Sequence, residues 1–162
     1  MIDAHCHIDL YPNPEKLLRE LDKQGITVIS VTNLPSHFEM GLPHFKSLKK
    51  IRLALGMHPL YAENHSEEFS AFLRLIDVTS YIGEVGLDFS KEGLSTKDIQ
   101  VISFRRILKA LQGKKKILSI HSRKAEREVL NCLIDFHAKG AIFHWYSGPI
   151  KLIVEIANAG FF

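Results

Sequence analysis

The sequence predicts an α/β protein, a TIM-type (β/α)8 barrel of which this chain carries about six and a half β/α units. Three observations lead there. Short apolar, β-branched runs alternate from end to end with longer amphipathic segments, the pattern of a parallel sheet with right-handed helical crossovers. Neither a GxGxxG nor a GxxxxGKS stretch follows the first strand, so nucleotide-binding open sheets lose support. Five of the six complete strands end on or near a histidine or an acid, at the rim where parallel α/β folds collect their active groups.

The first strand holds Asp3-Ala4-His5-Cys6-His7-Ile8-Asp9. In extended backbone side chains alternate, so His5 and His7 point one way and Cys6 the other. Tyr11 to Pro14 leads into a helix with Asn13 as N-cap and Pro14 at the first helical position; Leu17, Leu18 and Leu21 share a face and Gly25 ends it. Residues 26–32 read as the second strand. Pro35, Gly41 and Pro43 interrupt the next segment, which predicts a loop with a short helix through Phe45 and Leu48. The third strand, 51–55, is closed by Gly56-Met57-His58-Pro59. Ser66, Glu67 and Glu68 start a helix carrying Phe69, Phe72, Leu73 and Ile76. The fourth strand, 81–85, runs into Gly86-Leu87-Asp88, and Ser95 or Thr96 caps a long helix through Ile99, Ile102, Leu108 and Leu111 that stops at Gly113. Residues 117–121 form the fifth strand; its helix, about 124–137, is expected to bury Val129, Leu130, Leu133 and Ile134 before Gly140. A sixth strand, 141–144, precedes a helix opened by Pro149, and Gly160-Phe161-Phe162 looks like the start of a seventh.

At 162 residues, with 46% hydrophobic and 24% charged residues, the chain has the size and composition of one ordinary globular domain, residues 1–162. No window resembles a membrane span or a signal peptide, so no membrane partner and a cytoplasmic location are expected. The two cysteines, Cys6 and Cys132, make neither a disulfide framework nor a zinc ribbon and read as small buried hydrophobes. The net charge of +3 is compatible with a nucleic-acid partner without pointing to one. The lysine-rich runs at 49–50 and 114–116 precede strands, away from the active rim, and read as solvated turns.

The rim carries His5 and His7 on strand one, His58 after strand three, Glu84 on strand four, His121 on strand five and His144 on strand six. His37, His44, His65 and His137 fall in loops or helices and are expected to be structural or solvated. Several imidazoles with one carboxylate suit Zn, Mn, Fe or Ni better than Ca, and a carboxylate between two groups of histidines suits a bridged pair of ions. Such a pair activates water and stabilises both oxygens of an in-line displacement at phosphorus, which makes phosphodiester hydrolysis a natural chemistry.

Asp3-Ala4-His5-Cys6-His7-Ile8-Asp9, Gly56-Met57-His58-Pro59, Ile82-Gly83-Glu84-Val85-Gly86-Leu87-Asp88, Ile120-His121-Ser122-Arg123 and Phe143-His144-Trp145-Tyr146-Ser147-Gly148 resemble, in order, the signatures of the TatD family of metal-dependent deoxyribonucleases. The finer wording, especially Ser119 to Arg123 and His144 to Gly148, is similar to the TatD-like member of Qat anti-phage defence systems. The resemblance implies a barrel of the metal-dependent hydrolase superfamily that binds two divalent ions (Mg, Mn or Zn). It implies His5 and His7 on one ion, Glu84 as bridge, and His121 and His144 on the other. His58 would contact the scissile phosphate or carry a proton, Arg123 would neutralise a phosphate oxygen, and Asp88 would orient a ligand histidine. DNA is the implied substrate and other subunits of a Qat-type system are implied partners. Trp145 and Tyr146 are either stacking surfaces for an unpaired base or packing residues.

In that family an eighth strand ends in a Thr-Asp pair whose aspartate helps hold the first metal, and no residue up to Phe162 supplies it. A barrel of this kind takes about 200 residues or more, so the sequence predicts an unclosed one. A fragment, a truncated product or a chain completed by a partner is expected, with weakened catalysis where nothing closes the rim. Amidohydrolases share the early His-x-His but commonly place a modified lysine where Glu84 stands; phosphoesterases of the polymerase-and-histidinol-phosphatase type lack the Gly-Leu-Asp and His-Ser-Arg wording. A non-catalytic subunit of a defence complex is the alternative from another class.

Overall fold

In the computed structural model, which describes residues 1–162, seven strands and six α-helices alternate along the chain. β1 (Ile2–Cys6) pairs with β2 (Thr27–Ser30), and β2 with β3 (Ile51–Leu53), all parallel. A second parallel sheet runs β4 (Leu55–Met57), β5 (Tyr81–Gly86), β6 (Ile117–His121) and β7 (Ala141–Phe143). The expected third strand therefore reaches Met57 and changes partner at Ala54: its first half bonds to β2 and its second to β5. The two sheets form the arc of an incomplete barrel.

Thr32 clasps that arc together. Its N–H donates to Gly83 O (3.1 Å), its carbonyl accepts from Glu84 N–H (3.0 Å), and its hydroxyl donates to Ala54 O (2.9 Å) while accepting from Gly56 N–H (3.0 Å). A Cβ on Gly56 would lie 1.6 Å from the Thr32 carbonyl oxygen, so only glycine allows this approach.

The helices follow the sequence pattern with several corrections. α1 (Pro14–Lys23) starts on Pro14 and ends before Gly25, whose φ of +70° suits the left-handed stop; Asn13 holds the N-cap position, but its side chain caps nothing. The interrupted segment after β2, expected as a loop with a short helix through Phe45 and Leu48, is helical from Pro35 onward as α2 (Pro35–Phe45), and Leu48 lies beyond its end. Pro35 occupies its first turn, where a missing N–H costs nothing, and Pro43 falls in its last. α3 (His65–Leu75) follows a 3-10 turn, Pro59–Asn64, and buries Phe69 and Phe72 while Leu73 faces solvent. α4 (Lys97–Leu111) buries Gln100, Ser103, Phe104, Ile107, Leu108 and Leu111. Ile99 and Ile102 are exposed, because they are out of helical phase with Leu108 and Leu111. α5 (Glu126–Asp135) buries Val129, Leu130, Cys132 and Leu133 and leaves Ile134 outside. After α6 (Ile150–Asn158), Phe162 N–H donates to Ala141 O (3.0 Å) and its carbonyl accepts from Phe143 N–H (2.6 Å), so a ladder starts along β7 where the seventh strand was expected.

The main core fills the space between β4–β7 and α3–α6, with Phe72, Phe104, Ile107, Val129 and Leu133 fully covered. A smaller group, Ile8, Leu18, Val28 and Ile51, lies under α1 with half-buried Cys6 against it, on the side of β1 away from His5 and His7. The lysine runs sit in turns: the Lys49 and Lys50 amides bond Asp22, and Lys114 Nζ bonds Asp77 at 2.7 and 2.8 Å. No helix is long and apolar enough to cross a membrane.

Candidate metal centre

Glu84 is the hub. It lies on β5, 2% exposed, immediately after Gly83, where any Cβ would come within 2.7 Å of the Ser119 Cβ on β6. Its Oε1 meets His121 Nδ1 at 2.6 Å and His144 Nε2 at 2.9 Å. Its Oε2 meets His7 Nε2 at 3.0 Å, with His5 Nε2 and His58 Nε2 each at 3.5 Å. All six rim residues of the sequence reading are thus brought together. His7 lies just past the end of β1, yet its ring still converges with that of His5, centroids 5.2 Å apart, and His5 stacks on His144 at 3.6 Å.

A surrounding set of polar groups aims the rings. Ser119 Oγ, 5% exposed, bonds His5 Nδ1 at 2.7 Å and leaves Nε2 toward Glu84. Asp88 Oδ2 bonds His121 Nε2 at 2.7 Å, while its Oδ1 accepts from Ser90 N–H and its own N–H donates to Gln100 Oε1, both at 2.8 Å. Asp88 therefore stands where it fixes His121. His58 Nδ1 accepts from Leu60 N–H at 3.2 Å, which assigns its ring proton to Nε2. It presents a donor, not a lone pair, to the centre. Behind it, buried His65 bonds the His58 carbonyl through Nε2 (3.0 Å) and Ser103 Oγ through Nδ1 (2.7 Å). His65 lies off the rim, as expected, but it supports a rim residue. His65 is thus structural, one of the two roles expected of it, whereas Ser119 carried no expected role; a small polar residue at alternate spacing before His121 was the only available signal for it.

Burial dominates the electrostatics. It pushes His5 and His58 down to about 4, helped by neighbouring imidazoles and opposed by Glu84, so both are neutral at pH 7. Burial acts on His121 in the same direction, but the Glu84 and Asp88 carboxylates on its two nitrogens outweigh it and raise its pKa. For Glu84 burial pushes upward, and hydrogen bonds from His121, His144 and His7 overturn this and hold the carboxyl well below its usual range. Asp88 is likewise lowered against burial by Ser90 and His121.

These residues fit a divalent metal. One ionised carboxylate with two faces, the neutral His5 ring, the converging imidazoles of His121 and His144, and His7, whose buried Nδ1 has no hydrogen-bond partner, make an N/O donor set of borderline softness. Ligand atoms of His5, His7 and Glu84 lie within 4.8 Å of one another, as do those of His58, Glu84 and His121. Distance alone groups His58 with His121. The tautomer fixed by Leu60 argues instead for His144, which shares Oε1 with His121.

Around the cluster, exposed Arg123 reaches only Glu92, at 3.9 Å. Arg123 lines a cleft of about 410 Å³ with His121, Ser122, His144, Trp145 and Ser147. The aromatic pair after β7 divides: Trp145 is 89% exposed, whereas Tyr146 turns inward and donates its hydroxyl to Pro149 O at 2.8 Å. His37 and His44 line a separate cavity of about 330 Å³ between α1 and α2, and His137 ends α5 with a φ of +52°.

A family model described as TatD related DNase matches residues 2–162. Among curated proteins, the chain is similar to an uncharacterized metal-dependent hydrolase of Buchnera aphidicola, at 27% identity over all of this chain and 65% of that protein. It is also similar to human deoxyribonuclease TATDN3, at 25% identity over all of this chain and 66% of that protein. The chain thus spans about two thirds of the length of these relatives. Among solved structures, the TatD homologue YJJV of Escherichia coli superposes with a TM-score of 0.85 at 21% identity, covering 99% of this chain and 66% of that one. A TatD family hydrolase from Entamoeba histolytica gives 0.77 at 19% identity over 99% of this chain and 63% of that one. Those two likenesses establish the fold.

Proposed function

Since the chain belongs to the TatD-related DNase family, we propose that it is a metal-dependent phosphodiester hydrolase acting on DNA, built as one domain over residues 1–162. In this reading His5 and His7 hold one divalent ion, His121 and His144 a second, and Glu84 bridges them; Mg, Mn and Zn are the candidate ions. The observation that carries it is the division of the Glu84 carboxylate, with His121 and His144 on Oε1 and His5 and His7 on Oε2, where His58 also approaches but presents a donor. When bound, the ions supply an acidified water and positive charge on both oxygens of an in-line displacement at phosphorus.

The chain's own groups do the rest. Asp88 and Ser119 hold the His121 and His5 rings in orientation. His58, neutral and protonated on Nε2, donates to a substrate oxygen beside Glu84. Arg123, only loosely paired, takes a phosphate oxygen at the mouth of the site. The similarity of Ser119 to Arg123 and His144 to Gly148 to the TatD-like member of Qat systems supports a role in cytoplasmic anti-phage defence beside other subunits of such a system. The second reading is a non-catalytic barrel that acts as a subunit of such a system.

Metal content and cleavage separate the two. The purified chain is expected to bind about two divalent ions and to cut a labelled DNA oligomer only in their presence. Glu84→Ala is expected to lose both properties. Undiminished cleavage by that variant in chelator would remove the metal-centre reading, and binding of no ion by the wild type favours the non-catalytic subunit.

A further inference from the structure

We propose that His65 is a positioning residue for the reaction: with Ser103 it clamps the His58 carbonyl and, through the turn that follows, keeps the His58 Nε2 proton aimed at the centre; this rests on the nuclease reading above. His58 and His65 flank the 3-10 turn Pro59–Asn64, and the buried His65 ring reaches back across it to His58 while touching Ser103 on α4. A carbonyl only accepts, so the 3.0 Å contact of His65 Nε2 with His58 O puts the His65 ring proton on Nε2. Burial lowers the pKa of this ring, which is neutral at pH 7, and its Nδ1 accepts from the Ser103 hydroxyl at 2.7 Å. Both nitrogens are satisfied in one tautomer. An apolar side chain would fill the same space at no polar cost, so what the imidazole adds is the direction of these two bonds.

The effect reaches the His58 ring through the backbone. The His58 carbonyl accepts from Tyr61 N–H as well as from His65, both at 3.0 Å, and the His58 N–H donates to Asn33 O at 2.8 Å. With the peptide after His58 held in this way, Leu60 N–H stays 3.2 Å from His58 Nδ1 and leaves the ring proton on Nε2, 3.5 Å from Glu84 Oε2. Loss of the His65 bond removes one of two restraints on that carbonyl, so the turn loosens and the His58 ring samples its other tautomer. There Nε2 offers a lone pair where a substrate oxygen needs a donor. His65 bonds none of His5, His7, Glu84, His121 and His144, so the loss falls on turnover and not on ion binding.

Two amide variants separate the bonds. His65→Gln carries an N–H where Nε2 stood and keeps the bond to the His58 carbonyl; His65→Asn keeps an acceptor for Ser103 and is too short to reach the carbonyl. His65→Asn is expected to lower kcat for a labelled DNA oligomer about 10- to 100-fold with KM and ion affinity unchanged, and His65→Gln to restore most of it. Imidazole nitrogen NMR of isotope-labelled, metal-free protein reads the tautomer without activity. The wild type and His65→Gln are expected to show His58 protonated on Nε2 alone, and His65→Asn to show its two nitrogen shifts drawn together. Ser103→Ala, which unhooks His65 from α4, is expected to move the His58 shifts in the same sense and serves where a His65 variant fails to fold. Equal loss of kcat in the two amide variants overturns the proposal, as does a His58 spectrum that none of these substitutions moves. Cleavage by a chain whose His58 spectrum does not respond removes the positioning role alone; the expected spectra in a chain that never cleaves remove the nuclease reading and leave His65 as the residue that sets the His58 tautomer.

Discussion

At the scale of single residues, the centre depends on which nitrogen each imidazole presents, and that is decided by partners outside the cluster. Ser119 is the sharpest case. Its hydroxyl is the bond that turns His5 Nε2 toward Glu84, and it reaches His5 only because Gly83 has no side chain. Ser119→Ala strands His5 Nδ1 in a half-buried site, so divalent-ion affinity measured by calorimetry is expected to fall about 10- to 100-fold, with a stability loss of about 1–2 kcal/mol in urea. Unchanged affinity with the same stability loss would make Ser119 a packing residue only. The rim itself was legible in the sequence, because strand ends in a parallel fold converge and His5, His7, His58, Glu84, His121 and His144 each sit at one. Of the residues that support it, Asp88 was legible as the partner of a ligand histidine, whereas Ser119 carried no role and His65 only a structural one. Ser119 and His65 come from positions whose spacing marks no metal site, and only tertiary contact gives them a role.

At the scale of elements, periodicity located nearly every helix and strand but not their phase or their breaks. Ile99, Ile102 and Ile134 carry the right chemistry for a core and fall on the wrong side. Pro43 and Gly41 look like breakers, yet α2 accommodates them because Pro43 lies in its final turn and Gly41 faces Leu53, which a Cβ would approach to 3.2 Å. Nothing in the sequence marks the change of partner at Ala54 or the cis Gly83–Glu84 peptide. The Thr32 clasp that accompanies the change predicts a contrast between two glycines. Gly56→Ala drives a methyl onto the Thr32 carbonyl and breaks buried hydrogen bonds, at an expected cost of about 3 kcal/mol or more. Gly113→Ala meets no atom within 4 Å and costs only its left-handed backbone, about 1–2 kcal/mol. Urea midpoints of equal size for the two variants would show that the clasp gives way easily.

At the scale of the molecule, the candidate metal centre is where the two sheets meet. His5 and His7 come from the β1–β3 sheet, whereas Glu84, His121 and His144 come from the β4–β7 sheet. An ion gripping both groups binds only the docked arrangement, so its binding free energy adds to the stability of the whole arc. At a free ion concentration a hundred times the dissociation constant, that addition is about 2.7 kcal/mol. For a chain of this length each kcal/mol moves the melting temperature by about 2–4 °C. Saturating Mn or Zn is therefore expected to raise Tm by about 5–10 °C, and hydrogen exchange in β1–β3 is expected to slow, since that sheet has the smaller core of its own. Glu84→Ala, which removes the carboxylate common to both groups, is expected to lose the increase. A rise of the same size in that variant would place the ion elsewhere on the chain, and no rise in the wild type at concentrations where calorimetry shows occupancy would mean that the unfolded chain holds the ion as well as the folded one does.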